Sequence, residues 1–265
     1  MVATVTSATD VEQLFAAQGE GRRILLQWKS RKPRVAERVM SHVSAAPYTV
    51  RSAQFDSFIF GHPLKRITSV SAYKQVKIRD WFPDFAMVHL FHFLLEEKGG
   101  LFSYQEFREF CMGDEAGRGF SQQAQDKVRD LVAREGEDES AARDAMAWRV
   151  GNGYYSFLRE IYLVAKLRES GLDARIHPLA DALFRVDAWC GRTTIEMFVA
   201  NPNFKDNQGG RKKTTAHYLE DQKRFDFVRM QITPQHGFGV LHLPTSEEVN
   251  RCIADLQKMP DVSYL

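Results

Sequence analysis

The residues best placed to do chemistry are two carboxylates, Asp187 and Glu196, in the stretch ALFRVDAWCGRTTIEMFVANPNFK from Ala182 to Lys205. Two apolar, alternating runs flank Cys190-Gly191-Arg192-Thr193. A two-residue loop with glycine first is a type II′ hairpin signature. Pairing Cys190 with Thr193 sets Trp189 against Thr194, Ala188 against Ile195, Asp187 against Glu196, Val186 against Met197 and Arg185 against Phe198. The two acids land opposite each other on one face, where like charges cost a few tenths to about 1 kcal/mol. A hard divalent cation such as Mg²⁺ would convert that repulsion into binding. A different register, or neutralisation by Arg185 or Arg192, would account for the pair equally well.

Those acids need elements to hold them. Upstream, GNGYYSFLREIYLVAKLRESG carries apolar residues at helical spacing and ends on Gly171, a helix stop. Glu160 lies at the edge of its apolar stripe, where a carboxylate is costly unless coordinated or paired, for example with Lys166. LDARIHPL reads as a first strand, with the two hairpin strands after it. A basic helix from about Lys212 to Lys223, a fourth strand FGVLHL and a last helix TSEEVNRCIADLQKM complete the order α-β-β-β-α-β-α. Thr245-Ser246-Glu247-Glu248 supplies the cap of that last helix.

The 265 residues can bury a full core, and two domains are expected. VAREGEDESAARDA, Val132 to Ala145, marks the boundary: an N-terminal domain, 1–145, mixed and mostly helical, and a C-terminal α/β (α+β) domain, 146–265. In the N-terminal part, a helix near Val11 to Ala17, an extended run RRILLQWKS, strands around YTVRSAQF and DSFIFGH, and helices over Phe85 to Glu97 and Tyr104 to Cys111 are expected. A net charge of +2 means that any nucleic-acid surface must come from local clusters. Three widely spaced cysteines fit neither a disulfide framework nor a zinc pattern. The most apolar run, FAMVHLFHFLL, is too short to span a bilayer, so a cytoplasmic protein without membrane association is expected.

The C-terminal order, with acids at these positions, resembles the PD-(D/E)XK, or restriction-endonuclease-like, nuclease superfamily over roughly Gly151 to Leu265. The resemblance implies a mixed sheet flanked by helices, with Glu160 as the helix acid, Asp187 in RVDAW as the metal-bridging aspartate and Glu196 in IEMF as the third-strand acid. It implies Mg²⁺ or Mn²⁺ held by Asp187, Glu196 and the Met197 carbonyl with help from Glu160, and hydrolysis of DNA phosphodiester bonds, as an endonuclease and as a subunit of a defence or mobile-element machine. One position departs. Where the family has lysine two residues after the strand acid, this chain has Phe198. Lys213 and Lys212 are the favoured substitutes, with Arg185 and Lys205 as alternatives. The competing reading is a non-catalytic DNA-binding or scaffold subunit on a decayed nuclease fold.

Two basic clusters suit phosphate contacts: Lys29, Arg31, Lys32, Arg34 and Arg38 in WKSRKPRVAER, and Arg211 to Lys213 in GGRKK. Either also suits a solvated face. The N-terminal domain is the expected docking element for DNA or a protein partner. His89 and His92, one turn apart in an apolar run, read as core histidines more readily than as metal ligands.

Overall fold

Helix signals dominate the first half of the chain, and the computed structural model describes residues 4–58, 63–67, 76–79, 81–199, 214–219, 224–233 and 241–265. In chain order the described elements begin with β1 (Thr6–Ser7), α1 (Ala8–Phe15), α2 (Gly19–Arg31), α3 (Pro33–Met40), β2 (Val43–Ser44) and α4 (Gln54–Ser57). Next come α5 (Val76–Arg79), α6 (Met87–Lys98), α7 (Tyr104–Gly113), α8 (Glu115–Glu135) and α9 (Glu139–Glu169). The last are β3 (Ala174–Arg175), α10 (Pro178–Phe184), β4 (Ala188–Cys190), β5 (Thr193–Val199), α11 (Thr215–Leu219), β6 (Asp226–Ile232) and α12 (Ser246–Gln257). The chain is therefore mixed α/β.

It forms two compact units. One comprises 1–56, 159–235 and 243–265, the other 57–158 and 236–242. The division falls inside α9, and the N-terminal 56 residues belong to the unit that holds the sheet.

In the sheet unit the strands run β3-β4-β5-β6, antiparallel for the first two pairs and parallel for β5 with β6. The hairpin register is the one its turn dictates: Cys190 with Thr193, Trp189 with Thr194, Ala188 with Ile195. Gly191 has φ 59° and Arg192 has no positive φ, which is the type II′ pattern. Glycine is needed for space as well, because a Cβ there would lie 1.9 Å from the Asp261 carbonyl oxygen. On β6, Val228, Met230 and Ile232 are buried and Arg229 and Gln231 exposed, the period-2 pattern of a half-covered strand. α12 packs on β6, its start fixed by the Thr245/Glu248 capping box, with Glu248 also accepting the Thr233 N–H at 2.7 Å.

The N-terminal segment is bound to this sheet by aromatic packing. Phe15 of α1 meets Trp189 edge-on at 5.3 Å and stacks with Phe225 at 5.4 Å. Tyr48 donates its hydroxyl to the Ile176 carbonyl at 3.0 Å, and Ser52 donates its N–H and hydroxyl to Glu169. α2 packs on α10 and α11, and α3 on α10.

In the other unit, Phe91 packs with Phe107 at 4.6 Å between ring centroids and with Phe157 at 5.3 Å. His92 meets the Phe157 ring edge-on, and His89 Nδ1 accepts the Ala86 N–H at the start of α6. Both histidines are buried, as core residues are.

Several local expectations change. RRILLQWKS is helical, within α2, whose buried residues Gly21 and Leu25 are four apart, so the helix buries one face at helical spacing. YTVRSAQF and DSFIFGH contain no strand among the described residues; Ala46–Tyr48 is a 3₁₀ turn and Gln54–Ser57 is α4. The first sheet strand is only Ala174–Arg175, because His177 caps α10 and Pro178 takes its first position. The strand after α11 is Asp226–Ile232, ahead of the expected FGVLHL, of which 238–240 lie outside the described residues. Of the basic helix expected over Lys212 to Lys223, the described part is Thr215–Leu219.

Candidate acidic site at the end of the hairpin

The β4 strand begins at Ala188, so Asp187 lies just outside the ladder. α10 ends at Phe184, and Arg185 takes a left-handed conformation, φ 57°, that turns the chain into the strand. The expected cross-strand pair Asp187/Glu196 is therefore replaced by an offset arrangement. Asp187 donates its N–H to the Ile195 carbonyl at 3.1 Å, and its carboxylate accepts the Met197 N–H at 2.5 Å. The side chain continues the hydrogen bonding where the strand has stopped. A strand residue's N–H and C=O lie on one edge, so the Met197 carbonyl lies on the edge that faces Asp187.

Glu196 keeps 18% of its side-chain surface exposed. It accepts a bond from the Thr215 N–H at 3.4 Å and pairs with Arg229 Nε at 3.4 Å, both through Oε2. Among the described residues no donor bonds to its Oε1 or to Oδ1 of Asp187. Burial, Asp181 on α10 and Glu196 together hold the Asp187 carboxyl well above the usual carboxylate range, against the Met197 N–H and Arg185, which act the other way. Both acids act on Asp187 in the same direction, Asp181 more strongly than Glu196.

Glu160 is buried on α9, 6% exposed, and its neighbour Arg159 interacts with both Glu160 and Asp187. Burial lowers the Arg159 pKa while those two acids raise it. Arg159 thus ties the helix acid to the hairpin acid electrostatically. Among the described residues no three His, Cys, Asp or Glu side chains converge closely enough to hold a metal. The donor set still suits a hard cation: two carboxylate oxygens that take no donor among the described residues, a main-chain carbonyl on the same edge, and acids whose repulsion a positive charge relieves.

Of the substitutes for the absent lysine, Lys205, Lys212 and Lys213 lie outside the described residues, as does Arg211. Arg185 lies close enough to lower the Asp187 pKa, and its carbonyl accepts the Thr215 hydroxyl. In the N-terminal cluster Arg31 and Arg34 are exposed, Lys32 is half-buried, and Lys29 is ion-paired with Glu12 at 3.1 Å.

Three neighbours of the site escaped the sequence reading. Asp181 required α10 to be seen, and its signal is His177-Pro178 ahead of the helix formers LADALF. Arg229 required the fourth strand to be placed at Asp226–Ile232. Arg159 is adjacent to Glu160 and had no separate signal. Among the described residues no helix is long and apolar enough to cross a membrane. Comparison with protein-family models, curated proteins and solved structures finds no match to this chain.

Proposed function

We propose that the sheet unit is a metal-dependent nuclease that hydrolyses DNA phosphodiester bonds, as an endonuclease. The observation that carries this reading is the meeting of Asp187 and Glu196 at the end of the β4–β5 hairpin, each with a carboxylate oxygen that takes no donor among the described residues, under repulsion that raises the Asp187 pKa. The element order supports it too: a helix bearing Glu160, three strands, a helix, a strand and a helix, with α10 added between the first two strands.

Asp187 and Glu196, with the Met197 carbonyl, would hold Mg²⁺ or Mn²⁺, and the bound ion would lower the pKa of a water and shield the phosphate. Asp187 spends one oxygen on the Met197 N–H, which fixes the direction of the other. Arg159, next to Glu160 on α9, interacts with the charge of Asp187 and so favours its ionised form. Arg31 and Arg34, on the sheet unit and exposed, suit contacts to backbone phosphates that orient a duplex without reading its bases.

Calorimetric titration of Mn²⁺ and Mg²⁺ into the protein tests the site without relying on turnover. Saturable binding that disappears in Asp187→Asn and in Glu196→Gln is expected. Heats equal to buffer dilution would refute it.

The second reading is a DNA-binding or scaffold module without catalysis. It is favoured by one observation: the Asp187 carboxylate already has a structural task in capping β5, and no third ligand closes on it among the described residues. On that reading the protein binds duplex DNA in EDTA with the same affinity as in Mg²⁺.

A further inference from the structure

β5 and β6 share a register in which Glu196 lies beside Arg229 and Phe198 beside Gln231. Register partners in a parallel pair point to one face, and residues two apart on a strand do the same. Glu196, Phe198, Arg229 and Gln231 therefore form one patch, partly or fully exposed, at the acidic site. Arg229 is held there from two sides. Its Nε lies 3.4 Å from Glu196 Oε2, and its guanidinium carbon lies 4.8 Å from the centre of the Phe198 ring. The side chain nonetheless keeps 53% of its surface exposed. No acceptor among the described residues takes a hydrogen bond from either Nη group.

A guanidinium resting over a ring and ion-paired through Nε leaves its remaining N–H groups to act as a fork. That fork matches the two non-bridging oxygens of a phosphodiester. We propose that Arg229 is the phosphate-binding cation of this site, resting on Phe198 where a lysine would otherwise stand, and that it grips a nucleic-acid backbone phosphate beside Asp187 and Glu196. Cleavage of the gripped strand rests on the nuclease reading, whereas the grip itself does not. On this proposal the role for which Lys212, Lys213 and Arg185 were candidates falls to Arg229, whose described partners are Glu196 and Phe198. An arginine serving only to neutralise Glu196 would need neither the aromatic platform nor its exposed terminal nitrogens.

The test is fluorescence anisotropy with a labelled 20-base-pair duplex DNA in EDTA over a range of KCl concentrations. Arg229→Ala should raise Kd about tenfold and reduce the slope of log K against log salt by about 1. Arg229→Lys should recover part of the affinity, and Phe198→Lys placed in the Arg229→Ala protein should restore the slope. The position is exposed, so all variants should melt within a few degrees of the parent. An Arg229→Ala protein with unchanged Kd and slope overturns the proposal; if Asp187→Asn still abolishes Mg²⁺-dependent cleavage, the nuclease reading survives that result. A parent that binds, an Arg229→Ala that binds weakly, and no metal-dependent cleavage by either would sustain the grip and remove the nuclease. A parent that does not bind duplex DNA overturns the grip, and the nuclease reading then stands or falls on Mg²⁺-dependent cleavage alone.

Discussion

Lowering the pH from 7.5 to 5 should cost the protein about 4 kcal/mol of stability through two histidines that no catalytic scheme uses. His42 and His177 are buried, with ring centroids 5.3 Å apart. Burial, the His177 ring and Arg38 push His42 down to about 3, from an ordinary value of 6.5. Burial pushes His177 down to about 4, against the hydrogen bond to the His42 carbonyl and the charge of Asp10. Both are therefore neutral in the fold, and the unfolded chain takes up their protons first. A histidine whose pKa is depressed in the fold contributes stability above its unfolded pKa and loses it as pH falls. At pH 5 each has forgone about 2 kcal/mol relative to pH 7.5, at about 1.4 kcal/mol per pH unit below 6.5. Their sum is a large share of the roughly 5–15 kcal/mol that a domain possesses. The consequence reaches the site. His177 Nδ1 accepts the Leu179 N–H that starts α10, and α10 carries Asp181 and delivers Arg185 and Asp187. Urea unfolding at a series of pH values, monitored by far-UV circular dichroism, measures the loss. His42→Phe keeps the ring and should cut it to about 2 kcal/mol. A parent whose stability is flat between pH 7.5 and 5, or a His42→Phe protein with an undiminished slope, would refute the reasoning.

Asp187→Asn should leave the metal-free protein more stable at pH 7.5 by up to about 1 kcal/mol, because a carboxyl whose pKa is raised in the fold loses stability as pH rises, while asparagine still accepts the Met197 N–H; thermal melts in EDTA check the sign, and a marked drop would make the charge structural. Gly191→Ala should destabilise by about 2–4 kcal/mol, since it adds left-handed strain and drives a Cβ onto the Asp261 carbonyl; an unchanged melting temperature would mean the turn relaxes freely. Arg31→Gln with Arg34→Gln should lower the salt slope of DNA binding by about 2, and Lys29→Gln should change it little because Lys29 is paired with Glu12. Equal effects from all three positions would point to a diffuse charge effect.

The hairpin was legible because its determinants are local. Gly191 dictates the turn, the turn dictates the register, and the pairs Cys190/Thr193 to Ala188/Ile195 result. The same counting failed one step further, at Asp187, because a second local signal, His177-Pro178 and a run of helix formers, ends the strand early by inserting α10. The part of α9 from Gly151, its stop at Gly171 and the cap of α12 were likewise written in neighbouring residues, whereas the start of α9 at Glu139 falls inside the stretch read as a boundary. The parallel strand β6 was misplaced. A parallel partner lies far along the chain with no turn to fix its register, and DFVRMQI competes with the more apolar FGVLHL. With β6 went Arg229. Nor do neighbouring residues hint that α1 to α4 belong with the sheet, since Phe15 against Trp189 and Phe225 is a long-range contact.

If the acids at the end of the hairpin serve phosphodiester hydrolysis, supercoiled plasmid reports it. Purified protein is incubated with that plasmid in Mg²⁺, in Mn²⁺ and in EDTA, beside the Asp187→Asn protein. Nicked and linear DNA should form with either metal and none in EDTA, with at least a hundredfold loss in Asp187→Asn despite its equal or greater stability. Intact plasmid under all conditions, or cleavage undiminished in Asp187→Asn, would rule out that role for the two acids.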